Sequence, residues 1–402
     1  MRPWLLVLPM SGCAPALELT APSEGDTVFE AAWVVASLRR GEVDKGDTVR
    51  LSVEQQGTTL DLGEVSFDGD EARALWFTDD VDNGKAEVVA RAQLGGRSVE
   101  ARLSVDVDNL SRADSIPQNA VKQDVTTDSH PPVLEPAFAE LFHEPVPLEG
   151  PITTAGAEDS PFVTAAGDEL FFFFTPDASV PAEKQLVDRV TGLYRSEWDG
   201  SGWAEPRRVV LSTWDAPSLD GCGTVAGDAL WFCTARAGVE RSIDIYVAHR
   251  DGDRFVDWGT AGARVNLELM TGELHLGGDL LTWHTDLLDG TGGIDLWQSE
   301  WVDGGWSDPI ELEELNSADT DGWPWVSDDG REIWFTRAST GAPEIWRALK
   351  VDGHWQAPEK VVAPFAGEPT FDAEGNLLFT HHFWDDATNQ MLEADIYIAR
   401  KR

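Results

Sequence analysis

Five motifs of one kind stand at nearly equal distances along the second half of the chain: Gly192-Leu193-Tyr194, Asp244-Ile245-Tyr246, Asp295-Leu296-Trp297, Glu344-Ile345-Trp346 and Asp395-Ile396-Tyr397. Their aromatic residues are 52, 51, 49 and 51 positions apart. Such a repeat constrains folding more than any single residue does, because one unit cannot bury its apolar face alone and must stack on the next. Nine residues after each of the first four aromatics comes another, Trp203, Phe255, Trp306 or Trp355. Each is reached through an Asp-Gly turn, at Asp199-Gly200, Asp251-Gly252, Asp303-Gly304 and Asp352-Gly353. This reads as a strand, a tight hairpin and a second strand. Upstream of each anchor a further hairpin ends in an apolar-aromatic strand: Leu170-Phe171-Phe172, Leu230-Trp231-Phe232, Leu281-Thr282-Trp283, Ile333-Trp334-Phe335 and Leu377-Leu378-Phe379. Each unit therefore holds four strands, the pattern of a propeller blade.

The fifth unit ends five residues after Tyr397, without a fourth strand of its own. A substitute lies at the other end of the repeat region. Phe142-His143-Glu144-Pro145-Val146-Pro147-Leu148 matches Trp306-Ser307-Asp308-Pro309-Ile310-Glu311-Leu312, and Trp203 with Pro206 and Trp355 with Pro358 carry the same spacing. A strand from the N-terminal side that completes the last blade would close the ring and remove exposed edges. The expectation is a five-bladed β-propeller over residues 142–402. The Asp-Gly turns and the Asp-Ile-Tyr-like anchors resemble the TolB-like β-propeller repeats of exported bacterial proteins; Gly192 and Trp258 depart from the anchor acid and the proline. That resemblance implies a propeller and an exported setting.

Residues 17–110 alternate apolar and polar positions in short runs, Leu17 to Thr20, Val28 to Leu38, Val49 to Val53, Ala72 to Phe77, Ala86 to Ala92 and Val99 to Val107. Turn signals at Asp82-Asn83-Gly84 and Gly95-Gly96 punctuate them. About seven strands are expected, and the segment resembles a bacterial immunoglobulin-like β-sandwich. Asp79, Asp80 and Asp82 offer calcium ligands without the spacing of a helix-loop-helix site. Residues 111–141, polar and holding Pro117, Pro131, Pro132 and Pro136, read as a linker. With 18 Trp and 17 Phe beside 37 Gly and 22 Pro, the composition also suits short strands and turns, so the whole chain is expected to be all-β.

At the start, Arg2 precedes the apolar run Trp4-Leu5-Leu6-Val7-Leu8, and Met10-Ser11-Gly12 places small residues before Cys13. This resembles a bacterial lipoprotein signal over residues 1–12. The resemblance implies lipidation at Cys13, an anchor in the membrane, and a cell-envelope address, periplasmic or surface-exposed, with Ala14 favouring the outer membrane. The other two cysteines lie in one hairpin. A two-residue Gly227-Asp228 turn pairs Ala226 with Ala229, and continuing that register puts Cys222 opposite Cys233. An exported protein with such a pair is expected to form the disulfide. The charge is one-sided: 72 Asp and Glu against 30 Lys and Arg give a net charge of −42. A surface of that sign repels polyanions, so nucleic acid is excluded as a partner.

Chemistry is expected where strand connections gather. Each first strand of a repeat begins near an acid, Asp159, Asp220, Glu273, Asp321 and Glu368 in turn, and the long loops Thr175 to Thr191, Thr285 to Gly293 and Phe383 to Ala394 lie at the same end. His284 and His381-His382 end second strands, and Trp323 flanks Pro324 on the fourth repeat's first strand. Carboxylates crowded in a channel suit glycoside hydrolysis, and Asp159-Ser160-Pro161 resembles the first-blade motif of five-bladed arabinanase-type glycosidases. His284, His381, His382, Glu273 and Glu368 could alternatively gather round zinc or a similar divalent metal. The third reading is simplest: an acid at a strand start accepts hydrogen bonds from the neighbouring loop, and one per repeat is then repeat structure. The Trp residues are expected to be core between blades. Adjacent His381 and His382 should point to opposite faces of their strand. The expected function is a lipid-anchored, monomeric envelope protein whose sandwich is a spacer and whose propeller binds protein, peptide or glycan without catalysis. No cofactor is firmly implied, and a glycoside hydrolase is the alternative.

Overall fold

Alternating apolar residues and frequent turn signals leave little sequence for helices, and the chain folds accordingly, with 56% strand and 3% helix. The computed structural model describes residues 15–44, 46–236, 243–266, 270–286, 291–339 and 341–402. Cys13 and the rest of the signal-like segment, and part of the Thr285 to Gly293 loop, lie outside the described residues. No described helix is long and apolar enough to cross a membrane. The protein is all-β.

Two bodies are formed, one of residues 1–109 with Ser212–Ala216, the other of residues 110–211 with 217–402. The first holds a three-stranded sheet, Ala16–Ala21, Ala31–Arg40 and Glu71–Phe77. Its five-stranded sheet holds Thr27–Val28, Thr48–Gln55, Thr58–Ser66, Gly84–Leu94 and Arg97–Val107. Inward residues of both sheets, among them Val34, Leu51, Trp76, Val88 and Val105, form one buried cluster. The run read as one strand from Val28 is broken at Glu30, whose φ of 57° is left-handed. Thr58–Ser66, mostly polar and only half-buried, carried no strand signal in its sequence.

The second body is the repeat. Its first strands are Ala157–Val163, Ser218–Ala226, Thr271–Gly277, Thr320–Val326 and Ala366–Phe371. Each pairs antiparallel with a second strand, and that with a third carrying the anchor motif. Val146–Pro147 pairs with the third strand of repeat five, Val146 opposite Ile398 and Pro147 opposite Tyr397. The last repeat is thus completed from residues preceding the first. Apolar clusters sit at the seams between consecutive repeats. Phe171 and Leu193 meet Leu230 and Phe232; Ile245 meets Leu281 and Trp283; Leu296 meets Ile333 and Phe335; and Trp334 and Ile345 meet Phe379 and Tyr397. A fifth cluster joins Ile396 and Ile398 of repeat five to Phe172 and Phe174 of repeat one. Each such ring or aliphatic side chain, fully buried, stabilises by roughly 1.5–3 kcal/mol.

Two expectations about segments are corrected. Phe383 to Ala394 is not a loop but a prolonged hairpin, with Phe383 opposite Glu393 and Asp385 opposite Gln390. Its alternating Phe383, Leu392 and Ala394 can ladder as well as any strand residue. The segment read as a linker, 111–141, belongs to the repeat body. Val133–Leu134 adds a strand beside Val362 and Ala363, and Lys122 forms ion pairs with Glu393 and Asp395, both nearly inaccessible.

Candidate functional site: a ring of strand bulges

Every first strand of the repeat carries a β-bulge, and at each bulge a non-glycine residue takes a left-handed backbone. The φ values are 47° at Ser160, 42° at Cys222, 31° at Glu273, 50° at Trp323 and 59° at Glu368. A left-handed conformation costs a non-glycine residue about 1–2 kcal/mol. The bulge bends the strand and re-aims its side chains. In four repeats the preceding residue is glycine, and for a steric reason. A Cβ on Gly322 would lie 2.7 Å from His284 Nδ1, and one on Gly272 would lie 3.0 Å from His284 Nε2. Repeat one puts Asp159 at that place. The five bulge residues line one central cavity of about 30 Å3, walled further by Pro161, Pro324 and Pro369.

The bulge at Cys222 also corrects the hairpin register. Thr224 faces Trp231 as expected, but beyond the bulge Cys233 faces Gly221 rather than Cys222. The disulfide between Cys222 and Cys233 nonetheless forms, across a Cα separation of 5.7 Å. The cysteines remain cross-strand neighbours because the bulge displaces them by only one position.

Aligned on the bulge, the five candidate acids do not occupy one position. Asp220 and Asp321 lie two residues before it, as does Glu158, and each of the three is buried with an arginine partner. Arg337 Nε donates to Asp321 Oδ1 at 2.6 Å, while the N–H and hydroxyl of Ser317 both donate to Asp321 Oδ2 at 2.7 Å. Arg236 stands 3.9 Å from Asp220, whose other oxygen accepts from Ser218 at 2.6 Å. Arg112 stands 3.5 Å from Glu158, which also accepts the Thr154 N–H. These acids brace strand starts. Burial still pushes the Glu158 carboxyl up to about 7.

Asp159, Glu273 and Glu368 form a different set with, among the described residues, no cation beside them. The Ser160 N–H donates to Glu368 Oε2 at 2.6 Å, its hydroxyl donates to Glu273 Oε1 at 3.2 Å, and Thr380 donates to Glu368 Oε2 at 2.6 Å. Burial, then the negative charge of Glu368, pushes Glu273 up to about 8. Burial followed by the charges of Glu368, Glu273 and Glu158 holds Asp159 well above the usual carboxylate range. Near neutral pH Glu273 keeps its proton. The cluster thus joins proton donors and acceptors in one small void. A space of 30 Å3 admits about two waters or a bare cation. It has no room for a sugar ring.

The histidines go elsewhere. His284 is buried with its Nδ1 accepting the Trp323 N–H at 3.2 Å and its ring 4.8 Å from the Trp323 ring; burial lowers its pKa to about 3. His381 bonds through Nε2 to Asp128 at 2.8 Å and is fully buried, whereas its neighbour His382 is only half-buried. The proposed assembly of His284, His381, His382, Glu273 and Glu368 round a metal is not brought together. Among the described residues, the group with ligand atoms close enough for a metal is Cys222, Cys233 and Glu273, and its sulfurs are spent on the disulfide.

Sequence reasoning missed Ser160, the bridge between the carboxylates. It also missed His275, a buried and neutral ring that accepts the Val326 N–H. The signal for the site was present in Asp159-Ser160-Pro161, Gly221-Cys222-Gly223, Gly272-Glu273-Leu274, Gly322-Trp323-Pro324 and Gly367-Glu368-Pro369. Aligning on glycine and proline rather than on acids finds all five bulges.

No family model matches the sequence, and no curated protein matches it. Solved structures give remote likenesses. A quinoprotein alcohol dehydrogenase-like protein from Bacteroides thetaiotaomicron is 9% identical and has a TM-score of 0.30, the match covering 95% of this chain and 97% of that one. A puromycin-hydrolysing peptidase from Mycobacterium tuberculosis is 11% identical with a TM-score of 0.32, covering 77% of this chain and 45% of that one. The endo-β-1,4-mannanase from Thermotoga petrophila is 15% identical with a TM-score of 0.21, covering 24% of this chain and 20% of that one. The chain thus spans about a fifth of the mannanase and under half of the peptidase. At these scores the likenesses carry no argument about activity.

Proposed function

We propose that this chain is a lipid-anchored envelope protein whose repeat body is a closed five-bladed propeller. In this reading it binds a protein, peptide or glycan and performs no hydrolysis, with the N-terminal sandwich as an immunoglobulin-like spacer. The ring reading is supported by the pairing of Val146–Pro147 with the last repeat and by the seam cluster joining repeats five and one. A closed ring is a rigid scaffold that hides its edges, which suits a binding module. The anchor rests on the Met10-Ser11-Gly12-Cys13 resemblance alone.

The observation that carries the non-catalytic part is the size of the central void. A glycosidase needs two carboxyl groups flanking a sugar, about 5–5.5 or 6.5–9.5 Å apart in an accessible cleft. Here Glu273 and Glu368 are bridged by the single residue Ser160 and line a space of about 30 Å3. The test is a screen of the purified mature chain against arabinan, xylan and aryl glycosides, with Glu368→Gln in parallel. No hydrolysis is expected. Activity abolished in Glu368→Gln with an unchanged melt would make the chain a glycosidase. For the anchor, mass spectrometry of membrane-extracted protein should find a diacylglyceryl group on Cys13, and Cys13→Ser should move the protein to the soluble fraction.

A further inference from the structure

A second cavity of about 530 Å3 opens at the opposite end of the first strands, where the turn at Asp372–Gly375 joins the first and second strands of repeat five. Its volume lies within the range of pockets that bury small ligands, roughly 300–1,000 Å3. Half-buried Trp325 and Phe371 share it, their ring centroids 4.6 Å apart and their planes tilted by 55°. Trp334, almost fully buried, props Phe371 edge-on at 5.0 Å. The ring positions are therefore set by packing before any ligand arrives.

The polar groups round these rings are of both kinds. Glu332 takes the Trp334 indole N–H and Arg347 Nε on a single oxygen, Oε1, at 2.8 and 2.6 Å. The Arg347 guanidinium lies over the Phe138 and Trp334 rings, and it lines the cavity with Lys401 and Glu374. The local charge is nearly balanced, with three cations and four acids on the lining, in a chain whose net charge is −42. The other large cavity, about 630 Å3, offers Thr164, Ala165, Ala166 and Gly227 with Trp198 as its single aromatic.

We infer that the Trp325–Phe371 cavity is a binding site for a neutral oligosaccharide. Aromatic faces stack on the C–H faces of sugar rings, and hydroxyl groups both donate and accept, so they match a rim of carboxylates and guanidinium N–H groups. A polyanionic ligand would meet the four acids, and an organic cation would meet Arg347, Lys401 and Arg402. The inference rests on the binding reading above and moves the ligand from the loop end of the repeats to the hairpin end.

The test is calorimetry and tryptophan fluorescence on the whole chain, with short neutral glucan, xylan, mannan and chitin fragments, a uronate oligosaccharide and tetramethylammonium as probes. One neutral class is expected to bind. Trp325→Ala should weaken it about tenfold and Trp325→Phe much less. Lys401→Ala, an exposed position that leaves the core intact, should weaken it about threefold, and Trp198→Ala in the other cavity should leave it unchanged. Binding of uronate or tetramethylammonium alone would overturn the neutral-sugar assignment. Neutral binding indifferent to Trp325→Phe, Trp325→Ala and Lys401→Ala would overturn the location, and no binding of any probe would overturn the inference. These outcomes are separate from the hydrolysis screen: bound sugar cleaved only when Glu368 is intact would overturn the non-catalytic reading and leave this pocket standing.

Discussion

Two sets of acids share the first strands of the repeat, and they behave in opposite ways. Glu158, Asp220 and Asp321 sit two residues before the bulge, each with an arginine. Asp159, Glu273 and Glu368 sit at the bulge or one residue before it, the two glutamates bridged by Ser160 and, among the described residues, without a cation. A shift of one or two positions is enough, because a strand alternates its faces and the bulge inserts a further turn of the backbone. The first set spends its charge on holding strands. The second gathers carboxyls at the centre, where burial and their mutual repulsion favour the protonated form of Glu273 and Asp159.

The sharpest way to break this contrast is to remove a charge from the bracing set. Asp321→Ala should cost about 3 kcal/mol, since Arg337 would lose its carboxylate and keep only the Leu315 carbonyl as acceptor, and a thermal melt would show the loss. A melt within 2 °C of the parent would mean that Asp321 does not brace the fold. Asp220→Asn should cost less, about 1–2 kcal/mol, because Arg236 is 3.9 Å away and one Asp220 oxygen has no hydrogen-bond partner among the described residues.

The central set should respond in the other direction. A carboxyl whose pKa is raised on folding contributes stability that is complete below its unfolded value and declines as pH rises toward its folded value. For Glu273 that window runs from about 4.5 to about 8. Glu273→Gln should therefore match the parent near pH 4.5, melt several degrees higher near pH 9, and flatten the decline between. Parallel curves for the two proteins would show that Glu273 is not held protonated. Asp159→Asn should raise stability at high pH in the same sense, since it removes a carboxyl whose ionisation burial and the neighbouring acids oppose. A loss of stability at pH 9 on Asp159→Asn would place an undetected cationic partner at that carboxyl.

The repeat was legible because period and aromatic anchors are written locally. Tyr194, Tyr246, Trp297, Trp346 and Tyr397 lie on third strands, as their spacing implied, and Phe142 to Leu148 supplies the missing partner strand. The candidate site was legible only in part. Glu273, Glu368, Asp159 and Trp323 do reach the centre, but Asp220 and Asp321 were grouped with them on residue type. His284 and His381 were offered as alternative metal ligands, although His284 accepts the Trp323 N–H and His381 is held between Asp128 and the Phe365 carbonyl.

The amino-acid order by itself determined the all-β character, the recurring hairpin unit with its anchor motif, and the disulfide between Cys222 and Cys233. These follow from alternation, turn chemistry and recurrence, which depend on neighbours in the chain. Only the tertiary structure decided which carboxylates meet, because their meeting depends on five bulges from five distant strands converging on one void. It likewise decided that residues 111–141 pack onto the repeat body, because Lys122 finds Glu393 and Asp395 some 270 positions away. Charge and burial at that range are properties of the assembled fold, and no local pattern encodes them.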